Sequence, residues 1–64
     1  MMYTYYIKTA KECMIEKEWK LAMFYLGKAE ASATHSFEDD AELIEKIREI
    51  DSLVQMCHRE QSPA

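Results

Sequence analysis

Residues that break helices are scarce in this 64-residue chain, which contains one glycine and one proline. β-Branched residues are also few, so the composition favours α-helix over β-sheet. The length allows one small domain, and we expect a single helical domain over residues 1–64 with a frayed end at 61–64. Because so short a chain buries only about 60% of its unfolded surface, a partner or a second copy is expected to help cover its apolar side chains.

Long hydrophobic runs are missing as well. No apolar run approaches the ~20 residues of a membrane span. The apolar start of the chain, residues 1–7, follows no basic region and is interrupted by Lys8 and Lys11, so it does not resemble a secretory signal. We therefore expect no membrane segment and a cytoplasmic location.

An excess of basic residues is absent too, since the net charge is -4 and the isoelectric point is about 5.0. This acidic balance argues against a dedicated nucleic-acid-binding protein. The charge is unevenly divided, because five lysines offset five glutamates in residues 1–38 and the whole net charge of -4 falls in residues 39–64. Such asymmetry can guide pairing or partner choice, although a solvated helix face also accounts for it.

Cysteine and histidine are too sparse for a disulfide framework or an evident metal site. The two cysteines, Cys13 and Cys57, are expected to be buried reduced thiols, with a single bridge between them as the alternative. His35 and His58 are the histidines, and no pair has the spacing of a helical metal site. A metal carrier using Cys13, Cys57 and His58 stays a minor alternative.

We expect no cofactor and no enzymatic activity, because the chain has no phosphate-binding glycine loop and little room for a pocket.

Two apolar series at helical spacing follow one another in the first half of the chain. The first comprises Tyr3, Tyr6, Ile7, Ala10, Cys13 and Met14, and the second comprises Ile15, Trp19, Ala22, Tyr25, Leu26 and Ala29. The second series is rotated by roughly 100° from the first, so one straight helix would need two apolar faces. This rotation predicts helices near 3–16 and 19–33 with a turn near residues 16–18; one long helix is the alternative.

A third helix is predicted near 38–60. Thr34-His35-Ser36 marks the boundary, with Ser36 as the N-cap and Asp39 three residues later. A heptad-like seam, suited to the core or to self-association, then runs through Leu43, Ile47, Ile50, Val54 and Cys57. The predicted fold is all-α, as a small helical hairpin or a three-helix bundle.

The segment 3–33 resembles a single tetratricopeptide repeat, a pair of antiparallel helices. The best stretch is EKEWKLAMFYLGKAEA, residues 16–31. Trp19, Ala22, Tyr25, Leu26 and Ala29 match the family's aromatic, small and large positions of the second helix, and Tyr6 and Ala10 match those of the first. Lys17 replaces the usual turn glycine, Thr9 a large aliphatic residue and Thr34 a common proline. Because such repeats normally stack in threes or more, the resemblance implies that residues 39–60 or another molecule cap the hairpin.

In size and acidic helical character the chain also resembles bacteriophage accessory proteins and small bacterial regulators.

The chain has more aromatic and methionine side chains than it can enclose, which is typical of interaction surfaces. We predict non-catalytic protein–protein interaction through Tyr5, Trp19, Met23 and Phe24, with a homodimer or another protein as the partner. Alternatively, Phe24 packs beneath the third helix. A second hypothesis is a regulator that acts on a nucleic-acid-processing protein, or on DNA through Lys8, Lys11, Lys17 and Lys20.

Overall fold

The computed structural model describes residues 2–61, which contain three α-helices and no strand. The helices are α1 (Met2–Ile15), α2 (Trp19–Ser36) and α3 (Asp40–Gln61). Both α1 and α3 pack against α2. The prediction of an all-α three-helix fold is confirmed, and the chain turns between α1 and α2 where the rotated apolar series indicated. None of these helices combines the length and the apolar character needed to cross a membrane.

The turn between α1 and α2 is a Schellman motif closed by backbone hydrogen bonds. The amide of Glu18 donates to the carbonyl of Cys13 at 2.8 Å, and the amide of Lys17 donates to the carbonyl of Met14 at 3.0 Å. Lys17 has a φ of 64°, the left-handed conformation that this motif requires and that glycine normally supplies. The chain therefore reverses without a helix-breaking residue.

The connection between α2 and α3 differs from the prediction at its boundary. Ser36 is not the N-cap of α3 but the last residue of α2, because no glycine or proline stops that helix after Ala33. The amide of Phe37 still donates to the carbonyl of Ala33, at 3.0 Å. Asp39 is the N-cap instead, since its Oδ1 accepts a 3.0 Å hydrogen bond from the amide of Ala41. At the other end of α3, Gln61 is helical, and the rest of the predicted frayed end, residues 62–64, lies outside the described residues.

The core lies along α2, between α1 and α3. Four alanines have no exposed surface, which lets the helix backbones approach closely: Ala10, Ala22, Ala29 and Ala33. Leu26 is the large, fully buried residue of α2. The seam of α3 faces this core of its own chain, with Ile50 and Cys57 buried and with Leu43, Ile47 and Val54 partly buried.

Both cysteines are free thiols and both are buried. Burial raises the pKa of the Cys57 thiol above its ordinary value. Burial also raises the pKa of Cys13, and nearby Glu18, Glu12 and Glu16 raise it further. Neither thiol is poised to act as a nucleophile.

Tyr3 joins the first turn of α1 to the connection and to α3. Its ring packs edge-on against Phe37, with 5.3 Å between centroids. Its hydroxyl donates a 3.0 Å hydrogen bond to the Glu49 carboxylate. The Lys46 ammonium lies 5.9 Å from the Tyr3 ring centroid and 5.8 Å from that of Phe37. This cluster fixes α3 against the open end of the α1–α2 hairpin.

Candidate functional site

A row of four aromatic rings crosses from α1 to α2. Tyr6 and Tyr25 meet across the two helices with 6.3 Å between ring centroids. Tyr5 packs edge-on against Tyr6 at 5.6 Å, and Phe24 packs edge-on against Tyr25 at 5.4 Å. We call these four residues the aromatic surface. Each contact is within the 4.5–7 Å range at which aromatic pairs are stabilising.

The outer rings of this row face solvent. Tyr5 is 53% exposed and Phe24 is 55% exposed, whereas Tyr6 and Tyr25 are partly buried against the core. Leu21, on the same side of α2 as Tyr25, is 42% exposed and adds apolar area. The Lys28 ammonium lies over the Phe24 ring at 5.4 Å from its centroid. Each outer ring thus packs on one side against an inner ring of its own helix and faces solvent on the other.

Helical geometry explains why Tyr5 and Phe24 point outward. Each lies two residues, about 200° of helical rotation, from a buried residue of its own helix. For Tyr5 that residue is Ile7, and for Phe24 it is Leu26. Phe24 therefore does not pack beneath α3, and its exposure follows from the same register that buries Leu26.

The structure divides the four residues predicted to form one binding patch. It brings Tyr5 and Phe24 together through Tyr6 and Tyr25. Met23 lies on the other flank of α2, where its sulfur accepts a 3.0 Å hydrogen bond from Gln61 of α3. Trp19 is half-buried at the turn end of the bundle, away from the aromatic row.

Trp19 lines a separate open cleft of about 410 Å³ between the ends of α1 and α3. The cleft is mainly apolar with two charged residues among its lining: Met14, Ile15, Trp19, Met56, Arg59 and Glu60. Ile15 is 79% exposed there. The cleft contains no row of mutually supporting side chains comparable to the aromatic surface.

The residues considered for metal or DNA binding are spread over the molecule. His35 and His58 are exposed, whereas both cysteines are buried. Within residues 2–61 no three histidine, cysteine, aspartate or glutamate side chains are grouped so that they could hold a metal ion. Lys8, Lys11, Lys17 and Lys20 are all exposed, and Glu12, Glu16 and Glu18 lie among them in the sequence.

Comparison with known proteins adds no identification: no protein family, curated protein or solved structure matches this chain. The resemblance to a tetratricopeptide repeat stays a prediction from the sequence.

Tyr6 and Tyr25 are the functional candidates that sequence reasoning did not select. Periodicity alone places both on the apolar faces of their helices, and in the structure both lie at the edge of the core. The periodicity of each helix shows which side is apolar, but only the register between α1 and α2 shows that the two tyrosines meet.

Proposed function

We propose that this protein is a non-catalytic protein-interaction module and that the aromatic surface is its binding surface. The observation that carries the proposal is the row Tyr5–Tyr6–Tyr25–Phe24, in which the outer rings are more than half exposed and the inner rings are anchored in the core. Aromatic side chains held in this way are typical of the central residues of protein interfaces.

The physical basis is the removal of exposed ring surface from water. Fully burying an exposed side chain of this size contributes about 1.5–3 kcal/mol, and burying the exposed half of one outer ring contributes roughly half of that. Contacts with Tyr6 and Tyr25 already restrict the outer rings. Binding therefore costs less side-chain entropy than it would for rings that lacked such a neighbour. A surface of this kind can bind a partner without a conformational change in the hairpin.

Site-specific photocrosslinking in the native cell tests the proposal. The photoreactive residue p-benzoylphenylalanine would replace Phe24 in one variant and Tyr5 in another. Ile44 supplies the matched control, because it is 54% exposed, is apolar and lies on α3. We expect discrete covalent adducts from positions 24 and 5 and none of the same mass from position 44.

Two results would contradict this function. One is the absence of adducts at both aromatic positions while the variants remain helical by circular dichroism. The other is an identical adduct pattern at all three positions, which would show that exposure alone determines crosslinking.

A further inference from the structure

We infer that the aromatic surface binds a second copy of this chain, with α1 of each copy lying antiparallel over α2 of the other. This inference rests on the proposed function and names the partner of the same surface. It implies a two-fold axis parallel to the helices, so that both copies use the same face. In this arrangement Tyr5 of one copy faces Phe24 of the second.

The register inside the hairpin sets which charges meet in such a dimer. Tyr6 lies beside Tyr25, and the two helices run in opposite directions. At 1.5 Å per residue, Glu12 lies about 9 Å along α1 from Tyr6, and Lys20 lies about 7.5 Å from Tyr25 in the same direction. Glu12 and Lys20 are thus at nearly the same height in the hairpin.

Both side chains are on the outer edges of the hairpin. Glu12 is two residues from buried Ala10, and Lys20 is two residues from buried Ala22, so each points away from the core. A two-fold axis parallel to the helices places Glu12 of one copy opposite Lys20 of the other. The symmetry generates the same pair a second time. One Glu12–Lys20 ion pair therefore lies on each side of the aromatic residues at the centre of the interface.

The charge distribution favours this face over α3 for pairing two copies. Residues 1–38 are electrically balanced, whereas residues 39–64 carry the net charge of -4. Two copies that met through α3 would bring like charges together, and pairing through the hairpin keeps these acidic segments apart. This repulsion between acidic segments arises when the partner is an identical chain, and a different partner would not impose it.

Charge reversal tests the arrangement by sedimentation equilibrium. The wild-type chain is expected to be a dimer at high concentration. Glu12→Lys and Lys20→Glu each replace two attractive pairs by two repulsive ones, and each should weaken dimerisation by about tenfold at low salt. The double variant, Glu12→Lys with Lys20→Glu, recreates both pairs and should return to near the wild-type dissociation constant.

A control variant separates the pairing from net charge. Glu45 is exposed on α3, and Glu45→Lys changes the net charge exactly as Glu12→Lys does. It should not weaken the dimer. Circular dichroism on every variant confirms that the helices are intact.

The outcomes test the identity of the partner separately from the location of the binding surface. A wild-type chain that stays monomeric up to millimolar concentration overturns the second-copy inference, while crosslinks from Phe24 to a different protein would leave the proposed function standing. A dimer that is disrupted by Phe24→Ala but not rescued in the charge-swapped double variant overturns the two-fold arrangement. Rescue by the double variant supports it.

Discussion

The Tyr3 hydroxyl donates a 3.0 Å hydrogen bond to the Glu49 carboxylate and so connects two helices across 46 positions of the chain. Tyr3 is only 5% exposed, and Phe37 covers its ring. Glu49 is exposed, so its other lone pairs remain hydrated. The Tyr3 side chain thus links α1 to α3 and to the connection between α2 and α3.

Tyr3→Phe should lower the free energy of unfolding by about 1 kcal/mol. The substitution keeps the ring against Phe37 and removes only the hydrogen bond, whose carboxylate acceptor returns to water. Urea denaturation at low protein concentration measures the change. Tyr5→Phe is the matched control, because Tyr5 is 53% exposed, and its effect should stay within about 0.5 kcal/mol. Equal effects for the two variants would show that the bond to Glu49 does not stabilise the fold.

Tyr3 should also make the free energy of unfolding fall at alkaline pH. Burial first, and then the hydrogen bond and negative charge of Glu49, raise the pKa of Tyr3 above its ordinary value of 10.0. In the unfolded chain Tyr3 therefore loses its proton at a lower pH than in the folded chain. The contribution of the Tyr3 hydroxyl to the free energy of unfolding is complete below pH 10. It is lost as the pH rises from there towards the pKa of Tyr3 in the folded chain, by up to about 1.4 kcal/mol per pH unit.

The Tyr3→Phe variant isolates this effect from the other groups that titrate in the same range. Denaturation of both proteins between pH 8 and 12 should show a steeper loss for the wild type above pH 10. Parallel curves would mean that the hydroxyl of Tyr3 ionises equally well in the folded and unfolded states.

Lys17→Gly should stabilise the protein by about 0.5–1 kcal/mol. Lys17 has a φ of 64°, a conformation that costs an L-residue roughly 1–2 kcal/mol and that glycine adopts freely, with part of the gain offset by the greater entropy of unfolded glycine. Thermal unfolding followed by circular dichroism measures the shift. Glu16→Gly, one residue earlier and without a positive φ, should instead destabilise; a gain at both positions would refute the conformational explanation.

The two thiols should react slowly in the folded protein. Cys13 is 8% exposed and Cys57 has no exposed surface, and the pKa of each thiol is raised by burial. Since the thiolate is the reactive form, colour development with Ellman's reagent at pH 8 should be much slower than in urea-unfolded protein. Immediate reaction of both thiols without denaturant would show that the bundle does not protect them.

The fold was largely predictable because each apolar series has the period of a helix, and the rotation between the two series favoured a turn near residues 16–18 over one long helix. The second boundary was wrong, since Ser36 and Asp39 both have side chains suited to an N-cap and the sequence does not show which amide each side chain reaches. A lysine itself carries no signal for positive φ, so at Lys17 the one signal was the resemblance to a tetratricopeptide repeat, in which a turn glycine is usual at this position. The candidate surface was only half predictable: the outward direction of Tyr5 and Phe24 follows from helical periodicity, whereas their link through Tyr6 and Tyr25 depends on how two helices slide against each other.

The uneven burial of the helices has a consequence for how the native state fluctuates. Helices α1 and α2 each bury four residues, while α3, the longest of the three, buries two, Ile50 and Cys57. We therefore expect local opening to release α3 more readily than it separates α1 from α2. We expect amide protons of α3 to exchange with solvent through this partial opening, and those of α2, which both neighbours cover, to be the last to exchange.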